Sequence, residues 1–160
     1  MSYRGFLFGI CLLLSAQANA ADSALVSIDQ IKYNTANSTL PQVSSDSPAT
    51  LDNRLSVSIS GADNSISGTQ TGAAQSTNIE LNGNGSSVSM SGDGFANTTS
   101  MSVIGDANLV SQTQIGTNNS AELKIVGDGN TVTQSQVGDS LSYKLQINGS
   151  GNNVSVSQTQ

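Results

Sequence analysis

The strongest constraint on this chain is a glycine at every eleventh position from residue 61 to residue 149. Between these glycines, apolar or amide side chains alternate with Ser, Thr or charged side chains, a period of two that is typical of β-strands. Asn often stands three positions after the glycine, as in Asn108, Asn130 and Asn152. Gly and Asn together predict tight turns, because both accept left-handed backbone angles. The predicted turn glycines are Gly61, Gly72, Gly83, Gly94, Gly105, Gly116, Gly127, Gly138 and Gly149.

The eleven-residue units alternate between two kinds, so the full repeat is a pair of units and the pattern of Gly105 returns at Gly127. Residues 105–116 and 127–138, GDANLVSQTQIG and GDGNTVTQSQVG, are successive copies of one kind with no residue inserted or lost. When the copies are aligned, aliphatic residues and glutamines form columns at inward-facing positions. These columns include Ile125 and Ile147 in one kind of unit, and Val110, Val132, Val154, Gln114, Gln136 and Gln158 in the other.

Each 22-residue unit predicts a strand, a turn, a second strand and a return turn. One such coil cannot bury its apolar face alone, so coils must stack. Stacking brings equivalent residues to about 4.8 Å from each other. We therefore expect an all-β fold, a β-solenoid of five cross-β-like coils with ladders of like side chains, in which Glu122 and Lys144 are neighbours on the outer face. The predicted coils are 55–76, 77–98, 99–120, 121–142 and 143–160.

Residues 1–54 lie outside this repeat. Residues 1–20 contain one Arg, an apolar stretch and the small-residue sequence Ala18-Asn19-Ala20, which together predict a secretory signal peptide. Residues 21–54 contain both prolines and leave the eleven-residue grid. Within them LVSIDQIKY is consistent with a strand, whereas NSTLPQVSSDSPAT predicts a linker. We interpret 21–54 as a flexible leader that serves as an export tag or a loose cap.

Composition excludes several classes of function. After residue 20 the chain contains no Cys, His or Trp, and four Lys and Arg accompany eleven Asp and Glu. We expect no enzyme and no cofactor, because neither a nucleophile–base pair nor a cleft with paired carboxylates is recognisable. An acidic surface should repel nucleic acid, and no second apolar run is long enough to span a membrane. Asp106 and Asp128 stack in the predicted register. They would tune assembly or bind a cation, or they are solvated turn carboxylates with no special role.

The glutamine-rich units resemble a known family. Residues 114–121, QIGTNNSA, have the form Gln-x-Gly-x-x-Asn-x-Ala, and Asn108–Gly116 and Asn130–Gly138 repeat a related form. This pattern is similar to the curlin repeat of curli, the extracellular amyloid fibres of bacterial biofilms, and the resemblance covers 55–160. Gly68, Met90 and Gly92 depart from it, in the first and second coils.

The resemblance implies a location, partners and a role. A curlin-like chain would leave the cell through an outer-membrane pore with accessory factors. It would polymerise at the bacterial surface with itself and with other curlin subunits, as the major subunit or as the nucleator. Its fibres would contribute to adhesion and to the biofilm matrix.

The alternatives concern how the solenoid would be used. Residues 143–160 finish with NNVSVSQTQ, which lacks Pro and charge, so we expect an open growing end with the signature of a cross-β segment. A monomeric solenoid capped by the leader remains open as an alternative. Such a monomer would act as an adhesin through outer apolar residues, or as an ice-binding surface through rows of Ser and Thr.

Overall fold

The computed structural model describes the backbone of residues 26–34 and 39–46 and the whole of residues 53–160. The described residues form twelve strands and no helix, and hence no helix that is long and apolar enough to cross a membrane. The predicted signal peptide, 1–20, lies outside them. The strands are β1 (Val26–Asn34), β2 (Thr39–Asp46), β3 (Asn53–Ser60), β4 (Ser65–Ala73), β5 (Ser76–Asn82), β6 (Ser87–Phe95), β7 (Thr98–Ile104), β8 (Leu109–Thr117), β9 (Ser120–Val126), β10 (Thr131–Val137), β11 (Ser142–Asn148) and β12 (Asn153–Thr159).

The strands form two parallel sheets of six. The odd-numbered strands make one sheet and the even-numbered strands make the other, each in chain order. From β3 onwards every register pair is separated by one full repeat, as in Val132↔Val154, with no bulge. We name these strand pairs coil one (β3–β4), coil two (β5–β6), coil three (β7–β8), coil four (β9–β10) and coil five (β11–β12). The prediction of an all-β solenoid with five 22-residue coils is therefore confirmed.

The core lies between the two sheets. Strand residues alternate between buried and exposed, as in β5, because successive side chains point to opposite faces of a sheet. Ile79, Val103 and Ile125 line one sheet, and Val110 and Val132 line the other, all with at most 1% of their surface exposed. Each such side chain contributes about 1.5–3 kcal/mol by leaving water. Stacked coils thus bury a continuous aliphatic core that a single coil could not form.

The turns require glycine because neighbouring coils approach each other closely there. The nine predicted turn glycines have φ between 99° and 153°, outside the range of L side chains. At Gly105 and Gly127, an added Cβ would overlap the backbone carbonyl of the turn glycine in the next coil. The left-handed residue of each turn stands two positions later, for example Ala107 at φ 54° and Gly129 at φ 64°. The expectation that the following Asn adopts left-handed angles is therefore wrong.

The leader contributes two strands. Residues 39–46, which the sequence predicts to be a linker, form β2 and pair with β4, while β1 pairs with β3. We name β1–β2 the N-terminal coil. Its register partners, such as Val26↔Asn53 and Asp46↔Thr71, stand further apart in the sequence than one repeat, and each strand has a register shift. The eleven-residue grid does not extend into this coil because its spacing is longer.

Candidate functional site

A ladder of glutamine amides joins coils three, four and five. Gln114 Nε2 donates to Gln136 Oε1 at 2.9 Å, and Gln136 Nε2 donates to Gln158 Oε1 at 2.9 Å. Gln114 Nε2 and Gln136 Nε2 also donate at 3.2 Å to the carbonyls of Thr98 and Ser120 in the opposite sheet. Gln114 and Gln136 are buried, so each amide links two coils and two sheets where water cannot replace the bonds.

The asparagines three residues after the turn glycines form a second ladder. Asn108 Nδ2 donates to Gly127 O at 2.8 Å, and Asn130 Nδ2 donates to Gly149 O at 2.9 Å. Their Oδ1 atoms accept the backbone N–H of the equivalent residue in the next coil, from Asn130 N and Asn152 N, both at 3.0 Å. The sequence marks these positions correctly but for a different reason, since they bind neighbouring coils rather than adopt unusual angles.

The same arrangement holds in the opposite turns. Asn97 Nδ2 donates to Gly116 O at 2.9 Å, and Asn119 Nδ2 donates to Gly138 O at 2.7 Å. This ladder changes at Leu141, whose N–H still donates to Asn119 Oδ1 at 2.9 Å but whose side chain carries no amide. Both kinds of turn therefore join neighbouring coils through side-chain hydrogen bonds, mostly from buried amides, with the hydroxyl of Ser86 in place of an amide in coil two.

The stacked aspartates also belong to a turn ladder. Asn84 N donates to Asp106 Oδ1 at 2.7 Å, Asp106 N donates to Asp128 Oδ1 at 2.8 Å, and Asp128 N donates to Ser150 Oγ at 2.9 Å. Each carboxylate thus accepts a backbone N–H from the preceding coil, which offsets the repulsion between exposed like charges. Within the described residues no three His, Cys, Asp or Glu side chains are grouped to hold a metal ion.

One interior column was not considered from the sequence. It contains Thr77, Thr99, Ala121 and Tyr143, which are register partners in successive coils. Thr99 Oγ1 donates to Gln114 Oε1 at 2.6 Å and accepts from Gln112 Nε2 at 3.2 Å. In coil four the column holds Ala121, and neither polar side-chain atom of the buried Gln134 has a hydrogen-bond partner among the described residues. The period-two alternation could have identified this column, because its members stand two residues before an aliphatic column.

Coil five presents the same columns in a more open state. Ile147 is 6% exposed, against 0% for Ile125, and Leu145, Val154 and Gln158 are half-buried. Within the described residues, β11 pairs only with β9 and β12 pairs only with β10. The Tyr143 hydroxyl oxygen is buried and has no hydrogen-bond partner in the described part of the chain, and burial raises the pKa of this group. The inward columns are therefore more exposed in coil five than in coil four.

The outer surface carries an ion pair between Lys144 and Glu122, together with scattered apolar residues. Lys144 Nζ lies 2.7 Å and 2.9 Å from the two carboxylate oxygens of Glu122, as the register predicts. Both side chains are more than half exposed, so the pair contributes about 0–1 kcal/mol. The exposed large apolar residues are Phe95, Ile104, Leu109, Ile115 and Val137.

Comparison of the chain with protein-family models, with curated proteins and with solved structures found no match.

Proposed function

We propose that this chain is a curlin-like subunit of an extracellular fibre in which copies stack coil upon coil. The observation that carries the proposal is coil five. It presents inward residues of the same chemistry as the coils below it, and most of them are half-buried where those of coil four are fully buried. Parallel, in-register strands with ladders of like residues are the geometry of cross-β fibres.

The ladders make the coils self-complementary. Hydrogen bonds between side-chain amides, such as that from Gln114 to Gln136, join neighbouring coils. The same donor and acceptor atoms recur in the following coil. The contacts that hold coil four to coil five are therefore available for holding one chain to the next. Each hydrogen bond between side-chain amides contributes about 1 kcal/mol, and leaving one buried partner unpaired costs about 1–3 kcal/mol. Stacking a second copy on coil five is therefore favoured over leaving its face in water.

The expected setting follows from the predicted signal peptide together with the proposed fibre. We place the working protein outside the bacterial cell after passage through the periplasm and an outer-membrane pore. It would act as the major subunit or nucleator of a curli-like fibre that serves biofilm cohesion and adhesion. Its main partner is a further copy of the same chain.

The test is seeded fibre growth of residues 21–160, diluted from denaturant and followed by thioflavin T fluorescence. We expect a lag that preformed fibres abolish, and fibre diffraction at about 4.8 Å and 10 Å. Gln158→Lys places a charge in an inward column of coil five, whereas Ser157→Lys places it on the neighbouring exposed position. Growth should fall at least tenfold in the first variant and remain near that of the parent in the second. A soluble β-rich monomer that never grows would refute the proposal.

A second candidate function is suggested by the outer face of the even-numbered sheet. Two columns there contain only hydroxyl residues, namely Ser67, Ser89, Ser111, Thr133 and Ser155, and Thr69, Ser91, Thr113, Ser135 and Ser157. Regular hydroxyl rows on a flat sheet could order water at an ice surface. The next column is interrupted by Asp93, Ile115 and Val137, which is why we rank this function second. Thermal hysteresis of the monomer would measure it directly.

A further inference from the structure

We infer that the N-terminal coil is a removable cap, and that coil one beneath it is the surface on which coil five of a second copy of this chain docks. This inference rests on the proposed fibre function and specifies which faces of two copies meet. It is carried by the mismatch between the N-terminal coil and coil one, and by the match between coil five and coil one.

The N-terminal coil covers coil one, whose inward residues such as Val57 and Ile59 are buried, but it does not continue the repeat of coil one. Its strands have register shifts, and its spacing departs from the constant repeat of every other strand pair. The sequence contains no glycine between Gly9 and Gly61, so the glycine columns of the turns cannot continue into this coil. Pro41, within β2, carries no N–H for a sheet hydrogen bond. Bulges and proline are devices by which proteins keep an edge strand from pairing further.

Coil five continues the columns of coil one without interruption. If coil one of a second copy is stacked on coil five, its aliphatic residues lie on aliphatic residues and its glycines on glycines. The pairs formed across such a joint would be Leu145–Val57, Ile147–Ile59, Gly149–Gly61, Asn152–Asn64, Val154–Ile66 and Gln158–Gln70.

An unpaired buried atom supports this joint independently. Gln70 is 1% exposed, and its Oε1 has no hydrogen-bond partner among the described residues, whereas its Nε2 donates to Thr77 Oγ1 at 2.8 Å. In this column Oε1 is the atom that accepts from the glutamine of the preceding coil, as in Gln136 and Gln158. The N-terminal coil supplies Ser45 at the register position of Gln70 instead of a glutamine.

The complementary donor lies on coil five. Within the part of the chain that the structure describes, Gln158 Nε2 donates only to Ser142 O, at 3.3 Å, whereas Gln136 Nε2 donates both to a carbonyl and to the next glutamine. The ladder runs from Nε2 of one coil to Oε1 of the following coil. The same direction places Gln158 Nε2 of one copy against Gln70 Oε1 of the next. The cap must leave coil one for this bond to form.

The cap can be locked by a disulfide, because residues 21–160 contain no cysteine. Ser44 and Thr69 are register partners in β2 and β4, and neighbouring strands lie at about 4.8 Å, within the Cα separation that a disulfide spans. Ser44→Cys/Thr69→Cys therefore fixes the N-terminal coil to coil one when oxidised. Thr113→Cys/Ser135→Cys is the matched control, because it joins β8 to β10 and leaves the cap free.

We expect the oxidised cap variant to add at most one chain to a seed end, and reduction to restore growth in the same sample. The control should grow equally in both states. Equal growth of the oxidised and reduced cap variant would overturn the cap, as would failure of the cysteines to pair in the soluble chain. Absence of growth in both states and in the parent chain would instead overturn the fibre function on which the inference rests.

A double-mutant cycle tests the joint itself. Gln70 and Gln158 lie four coils apart in one chain, so they contact each other only across two chains. Gln70→Leu and Gln158→Leu should each raise the monomer concentration in equilibrium with fibres by about five- to tenfold. In the double variant, this concentration should rise by a factor smaller than the product of the two single-variant factors. A strictly multiplicative effect would show that these residues do not meet and would refute the joint.

Discussion

Replacing Gly127 by Ala tests whether neighbouring coils approach as closely as the ladders require. Gly127 has φ 134°, and a Cβ there would overlap Gly149 O and lie 2.5 Å from Gly149 C. Gly129 is the matched control in the same turn, because its φ is 64° and a Cβ there meets nothing within 4 Å. Ala107 occupies the equivalent position one coil earlier with φ 54°, so alanine is compatible with that backbone.

The expected cost follows from what must move. To make room at Gly127, the turn of coil five must retreat, which weakens the bonds Asn130 Nδ2–Gly149 O and Gly149 N–Val126 O, both 2.9 Å. Two such bonds at about 1 kcal/mol each, added to about 1–3 kcal/mol of backbone strain, lower the free energy of unfolding by about 3–5 kcal/mol. Gly129→Ala should cost only about 0–1 kcal/mol, because left-handed strain is partly offset by the lower entropy of the unfolded chain.

The assay is urea unfolding of freshly diluted, monomeric 21–160 at low concentration, followed by far-ultraviolet circular dichroism. Midpoints should be compared between the two variants and the parent, since arrays of repeats need not unfold in one step. A midpoint for Gly127→Ala equal to that for Gly129→Ala would refute the reasoning, because it would mean that the turns have space for a side chain at the glycine column.

Three further predictions concern the interior and the turns. Ala121→Thr should raise the free energy of unfolding by about 1 kcal/mol relative to Ala121→Val in urea titrations, because only the hydroxyl gives Gln134 a partner like that of Gln112 in coil three; equal midpoints would contradict it. Gln136→Ala removes three side-chain hydrogen bonds and should lower the free energy of unfolding by about 2–4 kcal/mol, against about 2 kcal/mol for Val132→Ala; slower fibre growth in the valine variant than in the glutamine variant would contradict this ranking. Ala107→Gly should stabilise the chain by about 0.5–1 kcal/mol by relieving its left-handed φ of 54°, and an unchanged urea midpoint would argue against strain there.

The repeat predicts most of the fold because each inference depends only on spacing. A constant repeat with two inward-facing strand patterns is sufficient to place Glu122 beside Lys144 and Gln114 beside Gln136. Parallel stacking converts sequence distance directly into spatial contact, so one alignment of the sequence with itself predicts the register from β3 to β12.

The sequence was less informative where local chemistry has more than one explanation. Asn130 is compatible with a left-handed turn as well as with a buried ladder, and only the contacts of its amide with Gly149 O and Asn108 Oδ1 distinguish the two. Residues 39–46 contain Pro41 and have no partner one repeat away in the sequence, so nothing in their pattern indicates a strand that pairs at a longer spacing.

Coil two explains how the solenoid tolerates departures from its own repeat. Gly92 stands in the glutamine column, where coils three and four carry Gln114 and Gln136. A Cβ at Gly92 would overlap Oε1 of Gln75, so the buried side chain of that turn residue occupies the space that the missing glutamine leaves. Gln75 Nε2 in turn donates to Thr71 O and, at 3.3 Å, to Gly94 O.

An amide is therefore present at this level of the interior although it comes from a different position in the sequence. The requirement that runs through the stack is for a buried hydrogen-bonding group at each level, rather than for a particular residue in each column. In the glutamine column, Gln70 Oε1 has no such partner among the described residues, at the end of the column that the N-terminal coil covers. In a joint with coil five of a second copy, Gln158 Nε2 of that copy would donate to Gln70 Oε1. This bond has the same direction, Nε2 to Oε1, as those that join the coils within one chain.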